Sequence, residues 1–522
     1  MTASTSVGGK SAGMPAEVRG VIEEDIDAGG ESPAFRGESA AGIYFEEASG
    51  ARSYAIRAYR GGETHPGLPP LAPGSAYAGD KGLPGACPTL LTRGIKPAVK
   101  NPLPRVFITG VGVVSPVGLG RVAFFRALTA GESGVRRIES FDPAPHGREF
   151  AGEVKGFVAA DHLSAAEVRQ TGRCSAMTLA ATRMAVLDAG IAAEQLRGPR
   201  TAVVIGTTMG EADVIADLDH AWIKRGASAI QQSLLHKYGS TLLSVHVARA
   251  TGARGLALTL PGACAAGNYA IGFAADLIRA GKADVVVTGA AEMLQELQFS
   301  GFVRLAAMAQ AKCQPFDLNR QGLIVGEGAG MLILESEEHA LRRGARLDAE
   351  VGGYGLSCDG YHITRPHPEA VGSIVAMRGA IDRSGIGPDQ VDFVNAHGTG
   401  TRANDAAEAK VMVDVFGSRR VPISSVKSTL GHCMGAASAL EAIACVMTLE
   451  TGVYPPTVGY ETPDPECDLD IVANVARTGK ADVLLNNSLA FGGYNSVVCF
   501  ARAGVLPAPD PAFAVAKPRG AA

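Results

Sequence analysis

The chain has 522 residues, 46% of them hydrophobic and 19% charged, which excludes a disordered polyelectrolyte and leaves room for a large core and more than one domain. A formal net charge of −4 and a sequence pI near 6.3 speak against nucleic acid or an anionic membrane as the main partner. Nine cysteines are dispersed at positions 87, 174, 264, 313, 358, 433, 445, 467 and 499; this odd set has no CxxC spacing, is no disulfide framework, and fits a reducing cytoplasm.

Residues 1–103 are rich in Gly, Ala, Ser, Pro and Glu and have few periodic apolar stretches. They read as a mostly disordered N-terminal extension, with a short element at Arg52–Arg60. Leu83–Cys87 echoes Leu260–Cys264, but Pro88 follows it and no helix pattern does, so the echo is treated as chance. The polar N-terminus lacks the apolar centre of a signal peptide. No uninterrupted apolar run has membrane-spanning length.

At Arg105 the texture changes. Arg105–Gly110 is a buried-type strand, followed by Gly110-Val111-Gly112. A GxG after a strand invites a dinucleotide site, but Ser115 stands in place of the third glycine and Pro116 interrupts the helix start. Gly326-Glu327-Gly328-Ala329-Gly330 leads into a strand, the wrong order for a phosphate-cradling helix. Further strand-like runs are Thr201–Ile205, Ala283–Thr288, Met331–Leu334, Val391–Asn395, Val421–Ser424, Val483–Asn486 and Ser496–Ala501. Helical patterns lie between many of them, at Ala176–Ala189, Ala403–Val415 and Gly435–Leu449. The alternation predicts an α/β fold with mostly parallel sheets sandwiched by helices.

Gly255–Leu260 reads as a strand, Pro261-Gly262 as a tight turn, and the residues from Cys264 onward as a helix. A thiol at a helix start meets unpaired N–H groups and the positive end of the dipole, which lowers its pKa and makes a nucleophile. The same stretch is equally compatible with a buried structural thiol. Two histidines sit in Gly-rich turns: His397 in His397-Gly398-Thr399-Gly400-Thr401 and His432 in Lys427-Ser428-Thr429-Leu430-Gly431-His432. Ligand groups in open α/β sheets gather at such strand and helix ends. Asn487–Asn495 joins two late strands through Gly492-Gly493.

The Cys264 stretch, the two histidine motifs and Phe491-Gly492-Gly493, in this order and spacing, resemble the β-ketoacyl-[acyl-carrier-protein] synthases. The likeness is closest to the elongating Cys–His–His branch and the polyketide ketosynthases. Arg105–Pro116 and Gln314–Gly330 match as well, and the resemblance covers about residues 104–502. It implies a thiolase-type fold with two similar βαβαβαββ halves in an α-β-α-β-α sandwich, usually a homodimer. The halves are placed at 104–355 and 356–502, with a Pro/Ala-rich tail at 503–522. No internal repeat is visible in the letters.

The resemblance also implies the chemistry. An acyl group passes from acyl carrier protein to Cys264; malonyl carrier protein loses CO2, and the carbanion attacks the thioester. The backbone N–H groups of Cys264 and Phe491 are implied as the oxyanion hole, and His397 and His432 as N–H donors to the enolate, with their division of proton handling open. Lys427 and Glu441 match positions that hold the histidine geometry, Asp405 a nearby acid, Thr399 and Thr401 the pantetheine contacts, and Phe302 the acyl pocket. No metal or redox cofactor is implied, and no metal-ligand spacing appears. The partners implied are acyl- and malonyl-loaded carrier protein and a second synthase chain, in a homodimer or a heterodimer.

Several positions depart from the family pattern. Leu489 and Ala490 replace an aromatic and a glycine, whose φ freedom helps the gate move. Tyr494 replaces a small residue, Ser438 a glycine, and Gln314 an arginine at a position often near the carrier protein. They point to a specialised enzyme of polyketide or other secondary metabolism. A non-elongating chain-length-factor-type partner subunit is the alternative, and the presence of Cys264, His397 and His432 argues against it. A thiolase would need a second active-site cysteine, and Cys499 has no Gly-rich loop around it. Starter synthases of the third type use Cys–His–Asn, whereas His432 stands third here. The chain has no room for a fused acyltransferase or carrier domain, so a free-standing enzyme is expected.

Overall fold

The computed structural model describes residues 43–47, 54–58, 103–235 and 237–510. The chain divides into two compact units, Met1–Gly94 and Ile95–Ala522. In the first, Ile43–Glu47 pairs antiparallel with Tyr54–Ala58, and the second of these strands falls within the element expected at Arg52–Arg60. The remaining expectation of disorder up to residue 102, the Leu83–Cys87 echo, and the tail beyond residue 510 lie outside the described residues.

Ten strands and six of the helices of the second unit carry its architecture. Its first half runs β1 (Val106–Ser115), α1 (Arg173–Ala189), β2 (Thr201–Thr207), α2 (Leu242–Thr251), β3 (Ala257–Pro261), α3 (Ala266–Arg279), β4 (Val285–Glu292) and β5 (Gly328–Ser336). Its second half runs β6 (Ala349–Cys358), α4 (Val371–Arg383), β7 (Phe393–Asn395), α5 (Arg402–Phe416), β8 (Pro422–Ser424), α6 (Ala437–Thr451), β9 (Val483–Ala490) and β10 (Tyr494–Ala501). The strand order is β3-β2-β4-β5-β1 in the first half and β8-β7-β9-β10-β6 in the second, so the same topology occurs twice. In each half the last strand, β5 or β10, runs antiparallel to both neighbours, while the outer three strands are parallel. The halves join where Phe107 and Ile108 of β1 pair with Glu350 and Ala349 of β6. A boundary near residue 355 falls inside β6; the second repeat starts at Ala349, because β6 occupies the place that β1 holds in the first half.

The sequence of the two central helices explains their place. In α6 every residue from Ala437 to Leu449 is buried, with Glu441 its only charge in that span. A helix that is apolar all round belongs between layers. It packs on β4 and β5 from one side and β9 from the other, beside α3, which touches β2, β4 and β10. Met434–Thr451 is apolar and long enough to cross a membrane by composition, yet 89% of it is buried inside the fold. Helices α1 and α2 cover the outer face of the first half, and α4 covers β6 and β10 of the second.

The Gly110-Val111-Gly112 sequence is not a phosphate turn. Both glycines lie inside β1, whose ten residues are all buried. A Cβ on Gly112 would stand 1.9 Å from the carbonyl oxygen of Ala181, and one on Gly110 would stand 2.4 Å from the backbone nitrogen of Ala189. The glycines let the alanine-lined face of α1 lie directly on the sheet.

Candidate active site

Cys264 sits in a tight turn, Ala263–Ala265, between β3 and α3. Ala263 takes a φ of 47°, a left-handed conformation that non-glycine residues avoid, and the Cys264 carbonyl accepts a hydrogen bond from Ser488 Oγ (3.2 Å). The side chain is 7% exposed. Burial pushes the thiol up to about 11, although Lys427 and the backbone N–H groups of Phe491 and Cys264 itself pull the other way. The expectation of a thiol pKa lowered by the helix start is thus corrected: desolvation outweighs the N–H donors, and the resting thiol is protonated.

The two histidines converge. Their ring centroids are 5.4 Å apart at 85°, and both side chains are buried. Burial lowers the basicity of each well below the ordinary histidine range; the nearby Lys427 ammonium adds to this, as does His432 for His397. Both are therefore neutral at neutral pH. His432 Nδ1 accepts the backbone N–H of Met434 (3.2 Å), which puts the ring proton on Nε2. Met434 pays for this contact with a φ of 46°. His397 Nδ1 has no hydrogen-bond partner among the described residues.

Lys427 and Glu441 form a buried ion pair, each 1% exposed. The Lys427 ammonium also donates to the His397 carbonyl oxygen (2.6 Å), so one cation links α6 to the first histidine loop. That loop is held from below by two acids of α5. Asp405 accepts the N–H groups of Thr399 (3.1 Å), Gly400 (3.2 Å) and Phe316 (2.8 Å). Glu408 accepts those of His397 and Gly398, both at 2.7 Å, and the Asn487 amide at 2.6 Å. Burial pushes Glu408 up to about 7 against these donors. The hydroxyls of Thr399 and Thr401 lie side by side, 2.9 Å apart. Phe491 starts the turn between β9 and β10 and faces Phe302 of the helix Glu296–Arg304 with ring centroids 5.7 Å apart.

The structure thus brings His397 and His432 together, places the Phe491 N–H beside the Cys264 thiol, joins Lys427 to Glu441 and to the His397 carbonyl, and sets Phe302 against Phe491, while Asp405 holds the loop of Thr399 from beneath. Such a set can transfer an acyl group to sulfur and hold anionic oxygens on N–H donors. Among the described residues no group of three His, Cys, Asp or Glu is placed to hold a metal.

Residues 104–340 match the family model for the beta-ketoacyl synthase N-terminal domain, and residues 348–461 that for the C-terminal domain. The chain belongs to the β-ketoacyl synthase family. The synthase is similar to the 3-oxoacyl-[acyl-carrier-protein] synthase 2 of Synechocystis sp., 36% identical over 405 residues, covering 76% of this chain and 97% of that protein. It is equally similar to the tetracenomycin polyketide synthase ketoacyl synthase alpha subunit of Streptomyces glaucescens, 36% identical over 415 residues, 76% of this chain and 97% of that one. Among solved structures it resembles the ishigamide ketosynthase/chain length factor, with TM-score 0.75 and 41% identity over 77% of this chain and all of that one. It also resembles a type II polyketide ketosynthase solved with its acyl-carrier protein, with TM-score 0.71 and 31% identity over 76% of this chain and 99% of that one. As a family member the synthase is an acyltransferase. It condenses a thiol-bound acyl group with a malonyl thioester, with loss of CO2, and lengthens a carrier-bound chain by two carbons in fatty-acid or polyketide-type synthesis.

The departures from the family pattern find places in the synthase. Ala490 is extended, with φ −137°, and needs no glycine freedom in this conformation of the turn. Tyr494 is 43% exposed and meets the ring of Tyr269 edge-on at 6.2 Å. Ser438 is buried and its hydroxyl accepts the N–H of Asn268 (3.2 Å), which ties α6 to α3 just beyond the nucleophile. Gln314 is buried too, donating to the Gly459 carbonyl at 2.8 Å, so it does not present its amide to solvent.

Sequence reading missed Glu408, Glu292, Ser488 and the buried amides of Asn268 and Asn486. Glu408 carried a signal: it lies on the apolar stripe of α5 with Val411 and Met412 at i+3 and i+4, where an acid is out of pattern. The others carried none.

Proposed function

We propose that the synthase is an elongating subunit in which Cys264 is the acyl carrier. The observation that supports this most directly is the thiol itself, buried at the head of α3 with the N–H groups of Cys264 and Phe491 beside it. Cys264 sulfur attacks the carbonyl of an acyl thioester on carrier protein; the C–S bond to pantetheine breaks and the thiol proton leaves with the pantetheine sulfur. The two N–H groups receive the oxygen as it becomes anionic. Thr399 and Thr401 offer adjacent hydroxyls to the pantetheine arm, and Phe302, whose ring faces that of Phe491, is assigned to the acyl pocket.

A malonyl thioester then binds and loses CO2. The enolate oxygen meets His432 Nε2–H, whose proton is fixed there by the Met434 N–H on the other nitrogen, together with His397. Because both imidazoles are neutral, they act here as hydrogen-bond donors rather than as charged acids. The enolate carbon attacks the Cys264 thioester, and the cysteine sulfur departs and regains a proton. Lys427 and Glu441 keep the first histidine loop in place.

The reaction needs no metal or redox cofactor. Loaded carrier protein is the partner, and the cytoplasm the place of action; the eight described cysteines are unpaired, in keeping with a reducing compartment. We further assign a homodimer. It is supported by β3, an edge strand of the sheet among the described residues, with Leu256, the residue before it, 46% exposed.

Intact-protein mass after incubation with a panel of acyl-carrier-protein thioesters tests the reading. Wild-type should gain one acyl group, and Cys264→Ala none. A folded wild-type that no thioester acylates would overturn it in favour of a non-elongating partner subunit.

A further inference from the structure

Glu292, the last residue of β4, plays no part in the steps above, yet it is completely buried and has no ion-pair partner among the described residues. Its carboxylate gathers four backbone N–H groups from two separate loops. Oε2 accepts from Thr208 (2.6 Å) and Gly435 (3.2 Å); Oε1 accepts from Met209 (3.1 Å) and Gly210 (3.2 Å). The Thr207 hydroxyl lies 3.4 Å and 3.5 Å from the two oxygens. Such converging N–H groups form an anion nest.

The two loops come from different parts of the chain. Thr207 ends β2 and pairs with Pro261, three residues before the nucleophile. Gly435 follows His432 by three residues and lies in the turn Met434–Ala436. The approach is too close for a side chain: a Cβ on Gly435 would stand 2.6 Å from the Thr208 nitrogen and 2.8 Å from Glu292 Oε2. Met434 is therefore held on both sides, its own N–H on His432 Nδ1 and the next one, that of Gly435, on Glu292. Met434 is left-handed at φ 46°, and such strain persists only where its surroundings fix it.

We propose that Glu292 is a positioning residue for the condensation step, anchoring the Met434–Gly435 turn so that the Met434 N–H stays on His432 Nδ1 and the imidazole proton stays on Nε2. The inference rests on the reading of His432 as a donor to the enolate. It predicts a split between the two steps, because the N–H donors at Cys264 come from its own turn and the Phe491 turn rather than from His432.

The test uses the full-length enzyme with Glu292→Gln, Glu292→Asp and His432→Ala. The glutamine amide presents N–H groups to N–H donors, and aspartate is one methylene too short to span both loops. Acyl transfer to Cys264, followed by intact mass, should stay within about 3-fold of wild type in both Glu292 variants, while malonyl decarboxylation, followed as CO2 release, falls by about 10²-fold, the cost of misplacing a reacting group. Nitrogen-15 spectra of histidine-labelled protein should show the His432 proton on Nε2 in the wild type and no longer confined there in the variants. Glu292→Asp keeps a carboxylate in the nest and serves if Glu292→Gln does not fold. An equal loss of both steps, or normal decarboxylation with the tautomer unchanged, would overturn the proposal. Normal decarboxylation in His432→Ala would instead overturn the reading of His432 on which it rests.

Discussion

Removing Lys427 while leaving Glu441 in place separates stability from catalysis in this site. Both side chains are 1% exposed, and the Glu441 carboxylate has Lys427 on Oε1 and, among the described residues, no partner on Oε2. Lys427→Met therefore leaves a buried, unpaired carboxylate, a change that costs about 3–5 kcal/mol. The carboxylate can escape part of this by taking a proton. Burial already holds Glu441 above the usual carboxylate range against the pull of Lys427, so in the variant its folded pKa lies higher still, above its unfolded value. The folded state then binds the proton that the unfolded state has lost, and stability falls as pH rises toward the folded pKa, by about 1.4 kcal/mol per unit. Urea unfolding at fixed protein concentration should accordingly show a larger deficit for Lys427→Met at pH 8 than at pH 5.5. The double variant Lys427→Met/Glu441→Leu, with neither charge, should recover most of the loss. It should nevertheless stay about 10²-fold down in condensation, because the ammonium that holds the His397 carbonyl is gone. A single variant within 1 kcal/mol of wild type at both pH values, or a double variant less stable than the single, would refute the reasoning.

Two further outcomes follow from the same physics. Gly112→Ala places a methyl 1.9 Å from a backbone carbonyl of α1, which no rotamer can relieve; the sheet or the helix must shift, and soluble yield and melting temperature should both drop, by more than the roughly 1–3 kcal/mol typical of overpacking. Glu408, raised to about 7 by burial, is protonated in the folded state where the unfolded chain is ionised, so it makes wild-type stability decline from about pH 4.5 to about 7. Glu408→Gln should flatten that decline by one proton's worth, read as the slope of unfolding free energy against pH, and an unchanged slope would remove Glu408 as its source.

What could be read from the letters was the part of the site whose chemistry demands particular residues in particular turns. Cys264 before a helix and His397 and His432 in glycine-rich loops are such places, and the structure brings the two imidazoles to 5.4 Å. The supporting charges were less legible. Lys427 and Glu441 stand fourteen positions apart, and nothing in either neighbourhood shows that both turn inward; their pairing came only from resemblance. Glu292 ends an otherwise uncharged strand, where an acid ordinarily marks the exit to solvent. The glycines at 110 and 112 show the opposite failure, since the same letters serve a phosphate turn or a helix laid close on a sheet, and only the distance to Ala181 and Ala189 decides. The doubled topology was hidden for a related reason: strand order repeats without any residue needing to repeat, because a buried strand asks only for apolar side chains.

The buried acids of this fold share a task that is not proton transfer. Glu292 takes four backbone N–H groups, Glu408 takes two and an amide, Asp405 takes three, and Glu327 takes those of Val154 and Leu294 beside the Arg173 guanidinium. Each ties together loops that lie far apart in sequence. The imidazoles, by contrast, are kept neutral by burial and by Lys427. A site arranged this way stabilises a developing oxyanion with fixed N–H dipoles, and fixed dipoles need no reorganisation when the charge appears. They must, however, be held by something stiffer than the loops that carry them. Carboxylates seated on backbone N–H groups supply that stiffness, which is why glycine-rich loops, otherwise the most pliable part of the chain, can carry the catalytic groups.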